Sequence, residues 1–332
     1  MAHNLAHAVV VITGASTGIG RATACKFAQQ HATVVVTGRR AHVLRSVAEQ
    51  CARLGGQALA LAADVTDPAA MQAVARQAVE TFGRIDVWVN NAAVTLFARM
   101  EEAPYEVYRR VIDTNLFGYI HGARAVLPYF RAQGRGTLIN VSSVVGKIGQ
   151  PYTSAYTASK FGINGLSESL RMELRETPAI HVCTVLPAAI DTPLFQHGAN
   201  YMGRAAKPVE PVYSAAQVAN TIVHLARRPQ REVFVGNAGR YLAMLRTLAP
   251  AFAERLFARR VEKHHFQDRL APPSAGNVLQ PMERYDSSSG GWRARHSQGT
   301  FAGKAIAGAA ALGIGLGWLL ACRSRDKRTF WT

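Results

Sequence analysis

A chain of 332 residues with 48% hydrophobic side chains can bury a substantial core, as one large domain or two small ones. Its net charge of +17 is uneven, because from Leu225 onward 18 Lys/Arg stand against 7 Asp/Glu, leaving +11 in that third; such a bias suits an anionic membrane surface or nucleic acid, or reflects drift toward arginine. The four cysteines, Cys25, Cys51, Cys183 and Cys322, lack metal-like spacing and imply a reducing compartment with buried thiols, which argues against a metal centre or a disulfide framework.

Residues 8–13 are apolar and β-branched, the pattern of a buried strand. No basic region precedes that run, so no secretory leader is expected. TGASTGIG follows at 13–20, and a helical pattern covers 19–30. Strand, glycine-rich turn and helix, in that order, let a backbone approach a pyrophosphate and aim a helix N-terminus at it. Gly14, Ser16, Thr17, Gly18, Ile19 and Gly20 are therefore candidate cofactor contacts, the plain alternative being a tight turn without a ligand. A second strand, 33–37, ends in Gly38, Arg39 and Arg40. A carboxylate at this point would bind the ribose 2′-hydroxyl of NAD. Arg39 instead suits a 2′-phosphate, which favours NADP(H) over NAD(H).

A helix over 41–54 stops at Gly55-Gly56, and a strand over 58–62 leads to Asp64 and Val65, with Asp64 placed to accept from an adenine amine. Asp67-Pro68 starts the next helix, which runs to 82. A strand over 85–89 runs into Asn90, Asn91, Ala92 and Ala93, small residues beside which a flat ring can pack. Residues 105–132 read as one long helix. Asn115 inside it is costly unless it bonds backbone groups at a local irregularity and orders a water; otherwise it faces solvent.

The strand 137–141 ends in Ser142 and Ser143. After a loop, Tyr156 and Lys160 share one helix face at i, i+4. A phenol in water titrates at a pKa of about 10, and a nearby ammonium lowers it, so the pair reads as proton donor and acceptor with Ser143 holding a carbonyl oxygen. Alone, such a pair is commonly just a solvated face. The helix continues to 176, and a strand over 180–186 gives way to a turn with Pro187, Ile190 and Thr192, whose hydroxyl suits a carboxamide. A helix over 215–226 and a strand over 232–235 complete the alternation. The fold class is α/β, a Rossmann-type doubly wound parallel sheet of about seven strands, with ligands expected at the carboxyl ends of the strands.

Over residues 8–235 the chain resembles the short-chain dehydrogenase/reductase family. The matching motifs are TGASTGIG, Asp64, NNAA at 90–93, Asn115, VSS at 141–143, YTASK at 156–160 and Pro187 to Thr192. The resemblance implies a tetrad of Asn115, Ser143, Tyr156 and Lys160. Tyr156 would be general acid in reduction and base in oxidation, and Ser143 would polarise the substrate oxygen. Lys160 would bind the nicotinamide ribose and lower the Tyr156 pKa, and Asn115 would hold a relay water. It also implies cofactor contacts from the glycine turn, Arg39, Asp64, Val65, Asn91, Ala92, Tyr156, Lys160, Pro187, Ile190 and Thr192, and no metal. Ala93 and Ala188 replace glycines usual in the family.

The expected organisation is a catalytic domain at 1–238, a basic amphipathic helical extension at 239–269 broken at Pro250, a flexible linker at 270–300, a membrane helix at 301–323 and a basic tail at 324–332. The extension suits either an anionic membrane or the rim of a substrate cleft, and residues 201–211 suit a lid over that cleft. The uncharged stretch 305–321 is just long enough to span a bilayer, or else lies buried or on a surface. The expected protein is a membrane-anchored enzyme with its catalytic domain in the cytoplasm, otherwise a cytoplasmic one. Its substrate would be lipophilic, its contacts would include membrane lipid, and it would form a homodimer or homotetramer without nucleic acid. The competing reading is a cofactor-binding regulatory or scaffold protein.

Overall fold

The structure, a computed structural model, describes residues 5–293. Seven strands form one sheet: β1 Val9–Thr13, β2 Thr33–Gly38, β3 Gln57–Ala62, β4 Val87–Asn90, β5 Gly136–Val141, β6 Ile180–Pro187 and β7 Glu232–Val235. Their spatial order is 3-2-1-4-5-6-7, and every pairing is parallel. The order reverses between β1 and β4, which opens a crevice at the carboxyl edge there.

The inner strands are buried on both faces, hence their continuous apolar runs, while the edge strands β3 and β7 are mostly half-buried. Val10, Ile12, Val34 and Val36 meet α1 Gly18–Ala28, α2 Ala41–Arg53 and α8 Ala215–Arg227 through Ala24, Phe27, Leu44, Val47, Val218 and Ile222. Val11, Val35, Trp88 and Leu138 point the other way, toward α3 Pro68–Phe82, α5 Gly118–Gln133 and α6 Ser154–Glu173. The period-2 alternation of side chains thus divides one sheet between two cores.

The expected single helix over 105–132 is instead two, α4 Tyr105–Ile112 and α5, joined by one π-helical turn, Asp113–Phe117. Asn115 sits in that turn, fully buried, and bonds backbone across to Val94, so the extra residue in the turn has a side-chain cause. After the short helix α7, Leu194–His197, the lid region carries small strands: Ala199–Asn200 pairs with Leu96–Phe97, and Arg204–Ala206 with Phe266–Leu270. Pro250 divides the extension as expected, into α9 Asn237–Leu248 and α10 Pro250–His264.

Residues 271–292 differ from the expected flexible linker. They belong to the same compact unit as the sheet, which runs to Trp292. Val278 is fully buried among Val94, Leu96, Val107, Val111 and Ala199, and Trp292 is 6% exposed. The Pro, Gly and Ser content that suggests a linker serves close backbone contact here, with Gly276 at φ +52 and its backbone against His197. The expected membrane helix at 301–323 lies outside the described residues. Among the described residues no helix is long and apolar enough to cross a membrane.

Candidate active site

The glycine turn after β1 approaches the β4 end so closely that a Cβ on Gly14 would lie 2.6 Å from Ala92 Cα, and one on Gly20 would lie 2.3 Å from Gly14 O. Gly14 and Gly18 also take positive φ. Asn91 Nδ2 donates to Thr13 O at 2.9 Å and to Gly14 O at 3.2 Å, while Thr13 Oγ1 accepts from the amides of Asn91 and Ala92. The two strand ends are therefore tied into one bare backbone cradle, the shape a dinucleotide pyrophosphate needs. Ala93 and Ala188 both avoid positive φ, so alanine is unstrained at these positions.

Ser143 stands at the end of β5, and Tyr156 and Lys160 on the first turns of α6. Ser143 Oγ lies 3.4 Å from Pro187 O and accepts from Val145 N–H at 3.3 Å. Lys160 is 1% exposed, and its Nζ donates to Val141 O at 2.9 Å and lies 5.3 Å from the Tyr156 ring centroid. Asn115 Oδ1 accepts from Val94 N–H at 2.8 Å, and its Nδ2 donates to Val94 O at 2.9 Å and to Ser159 Oγ at 3.2 Å. Ser159 in turn donates to Tyr156 O at 2.6 Å, so Asn115 braces the backbone that carries the tyrosine.

The expected lowering of the Tyr156 pKa by Lys160 is not what this geometry gives. Burial pushes the phenol up to about 12, with a hydrogen bond to the Ser143 side chain pulling the other way. Burial likewise lowers Lys160 to about 7. Both charged forms are desolvated together, and the lysine is turned toward a backbone carbonyl.

One cavity of about 580 Å³ joins the cradle to this cluster. Every expected site residue lines it except Gly20, which supports the cradle from below, and Asn115, which braces from behind. Two polar residues are already partnered. Asp64 holds Thr66 N–H and Oγ1–H and forms an ion pair with Arg110. Arg39 donates to the carbonyls of Asn277, Val278 and Leu279. At the Tyr156 end the wall is apolar, with Val144, Leu194, Phe195, Leu242, Leu245 and Phe257. His265 also lines it, buried and lowered to about 4 by desolvation.

The family model for short chain dehydrogenase matches residues 8–203. The chain belongs to that family. A short-chain dehydrogenase of this kind is an NAD(P)-dependent dehydrogenase/reductase. It is 34% identical over 329 residues to the uncharacterized oxidoreductase YxnA of Bacillus subtilis, covering 96% of this chain and 91% of that one. It is 33% identical over 269 residues to the bovine (Bos taurus) dehydrogenase/reductase SDR family member 7B, covering 77% and 82%. Among solved structures, a metagenomic short-chain oxidoreductase in complex with NADP matches with TM-score 0.60 and 33% identity, over 70% of this chain and 98% of that one. About three-tenths of this short-chain dehydrogenase therefore has no counterpart in that neighbour.

Of the two readings of the extension, the rim of a substrate cleft matches the apolar residues of α9 and α10 that line the cavity. Sequence reasoning missed two other parts of the site. His265 reaches the cavity from far along the chain, with no local motif to mark it. The segment after Leu270 reaches it through backbone atoms, which leave no side-chain pattern to read.

Proposed function

We propose that the protein interconverts a carbonyl and an alcohol by NADP(H)-dependent hydride transfer, with Tyr156 as the proton donor in reduction and acceptor in oxidation. The observation that carries this reading is the convergence of Tyr156, Ser143 and buried Lys160 in the same cavity as the glycine cradle. A nicotinamide bound there supplies or takes the hydride. The phenol, fully protonated at neutral pH, donates its proton to the substrate oxygen as the carbon is reduced, and Ser143 donates a hydrogen bond to the same oxygen. Lys160, which lines the cavity, would support the tyrosine and hold a ribose hydroxyl, and Asn115 fixes the turn behind both. Asp64 and Val65 line the cavity where they would flank an adenine, and Pro187, Ile190 and Thr192 where they would hold the carboxamide end.

Arg39, with no carboxylate at the end of β2, supports NADPH as the preferred cofactor. The apolar wall beside Tyr156 supports a lipophilic substrate such as a sterol, a retinoid, a long-chain aldehyde or a ketoacyl chain. Tyr241 and Leu256 line the cavity and are also 69% and 48% exposed, so the apolar wall continues onto the surface of α9 and α10. There Arg240, Arg246, Arg255 and Arg259 accompany it, a composition that suits an anionic lipid surface at the cavity mouth. Exposed Tyr105, Phe117, Phe161 and Met172 on and around α4 to α6 support a homodimer or homotetramer through those helices.

The test is cofactor oxidation by wild type and Tyr156→Phe with a panel of lipophilic ketones and aldehydes, NADPH and NADH side by side. Turnover with NADPH that disappears in the variant is expected. Undiminished turnover by the variant would end the tyrosine mechanism, and preference for NADH would end the reading of Arg39.

A further inference from the structure

Residues 277–292 cross the three loops that border the cofactor crevice. On the glycine turn, Ser287 O accepts from Gly18 N–H at 3.1 Å, and Asp286 O accepts from Arg21. After β2, Arg39 donates to the carbonyls of 277–279, while Arg40 donates to Met282 O at 2.7 Å and pairs with the Asp286 carboxylate. After β6, Asp191 accepts from Ser289 Oγ, Gly290 N–H and Trp292 N–H.

Under this strap lies a second, small cavity of about 60 Å³. It is several times the roughly 10–15 Å³ that one water needs, enough for a single phosphate group. Ser16, Arg39, Arg40, His197, Asn277 and Met282 are among the residues that line it. The charges around it are unequal. Arg40 is neutralised by Asp286, but among the described residues no carboxylate lies within ion-pair distance of Arg39, whose partners are neutral carbonyls. Asp64, the carboxylate that acts on Arg39, is already ion-paired with Arg110, so a partly desolvated guanidinium with no carboxylate of its own faces a phosphate-sized space, which calls for an anion. Asn277 Oδ1 is buried without a hydrogen-bond partner, and turning that amide over presents two N–H donors instead.

We propose that residues 277–287 form the outer wall of a closed 2′-phosphate site and so help set the preference for NADPH over NADH. This rests on the assignment of Arg39 to the 2′-phosphate and adds that the far C-terminal strap encloses it. The experiment uses the full chain and two probes that differ only in the phosphate, 2′,5′-ADP and 5′-AMP, titrated by calorimetry. Wild type is expected to bind 2′,5′-ADP at least tenfold more tightly. Met282→Asp sets a carboxylate into the strap side of the cavity and is expected to lower that ratio about tenfold or more, leaving 5′-AMP affinity unchanged. Asn277→Ala is expected to lower it by a smaller factor. An unchanged ratio in both variants, or equal weakening of both probes, overturns the proposal. Arg39→Ala separates it from the assignment beneath it. If Arg39→Ala abolishes the ratio and Met282→Asp does not, the NADPH reading stands and the strap's role falls. If wild type itself does not discriminate, both fall.

Discussion

Lys160 Nζ and the Tyr119 hydroxyl donate to one acceptor, the carbonyl oxygen of Val141, at 2.9 and 2.8 Å. Val141 is the last residue of β5, so the end of a central strand fixes both side chains from one side. Tyr119→Phe removes one donor and leaves no buried group unpaired, so a loss of about 1 kcal/mol of stability and a change in turnover of only about threefold are expected. Thermal melting and steady-state rates check this. A hundredfold fall in turnover would show that the Tyr119 hydroxyl belongs to the proton path.

Lys160 also predicts a pH effect on folding. Its folded pKa, about 7, lies below its unfolded value. Between the two, the unfolded chain holds more protons, so this lysine makes stability rise with pH from about 7 toward 10. Above 10 the raised Tyr156 pKa acts in the opposite direction. Melting temperatures of wild type and Lys160→Met, compared across pH 7 to 10 without cofactor, are expected to show a steeper rise in the wild type. Parallel curves would mean that Lys160 is not desolvated as described.

Asn115→Ala strands the Val94 N–H and C=O, both bonded by the asparagine amide. Two buried backbone groups without partners cost roughly 2–6 kcal/mol. The π turn is expected to relax toward regular helix, and denaturant unfolding together with amide exchange at Val94 measures the change. Full stability with intact exchange protection would contradict the bracing role.

Asp191→Ala removes the acceptor for three donors on residues 289–292. Peptides covering 286–293 are expected to exchange amide hydrogens at least tenfold faster, with the sheet unaffected. Uniform acceleration across the chain would instead make Asp191 a general determinant of stability.

The sheet was legible because its strands are apolar runs punctuated by Gly, Asn and Ser at the carboxyl ends, and both cores follow from alternation along Val9–Thr13 and its neighbours. The cavity residues were legible for the same reason, since motifs at strand ends converge wherever the strands are parallel. The π turn needed Val94, a partner from another element, to distinguish it from a continuous helix. The phenol's raised pKa depends on burial from several elements at once, which Tyr156 and Lys160 at i, i+4 do not reveal. Residues 271–292 misled because Pro, Gly and Ser mark both a free linker and a segment pressed backbone-first onto a surface.

The hydrogen bond between Gly18 and Ser287 also bears on the order of assembly at the ribosome. Synthesis runs from the N-terminus, so all seven strands, ending at Val235, exist before Ser287 is made. During that interval the glycine turn, Arg39 and Arg40 lack their C-terminal partners. The contact joins regions near the two ends of the folded unit, and closing so long a loop is a late and slow event. Until then the crevice at the carboxyl edge of the sheet lacks the strap that borders it in the finished chain.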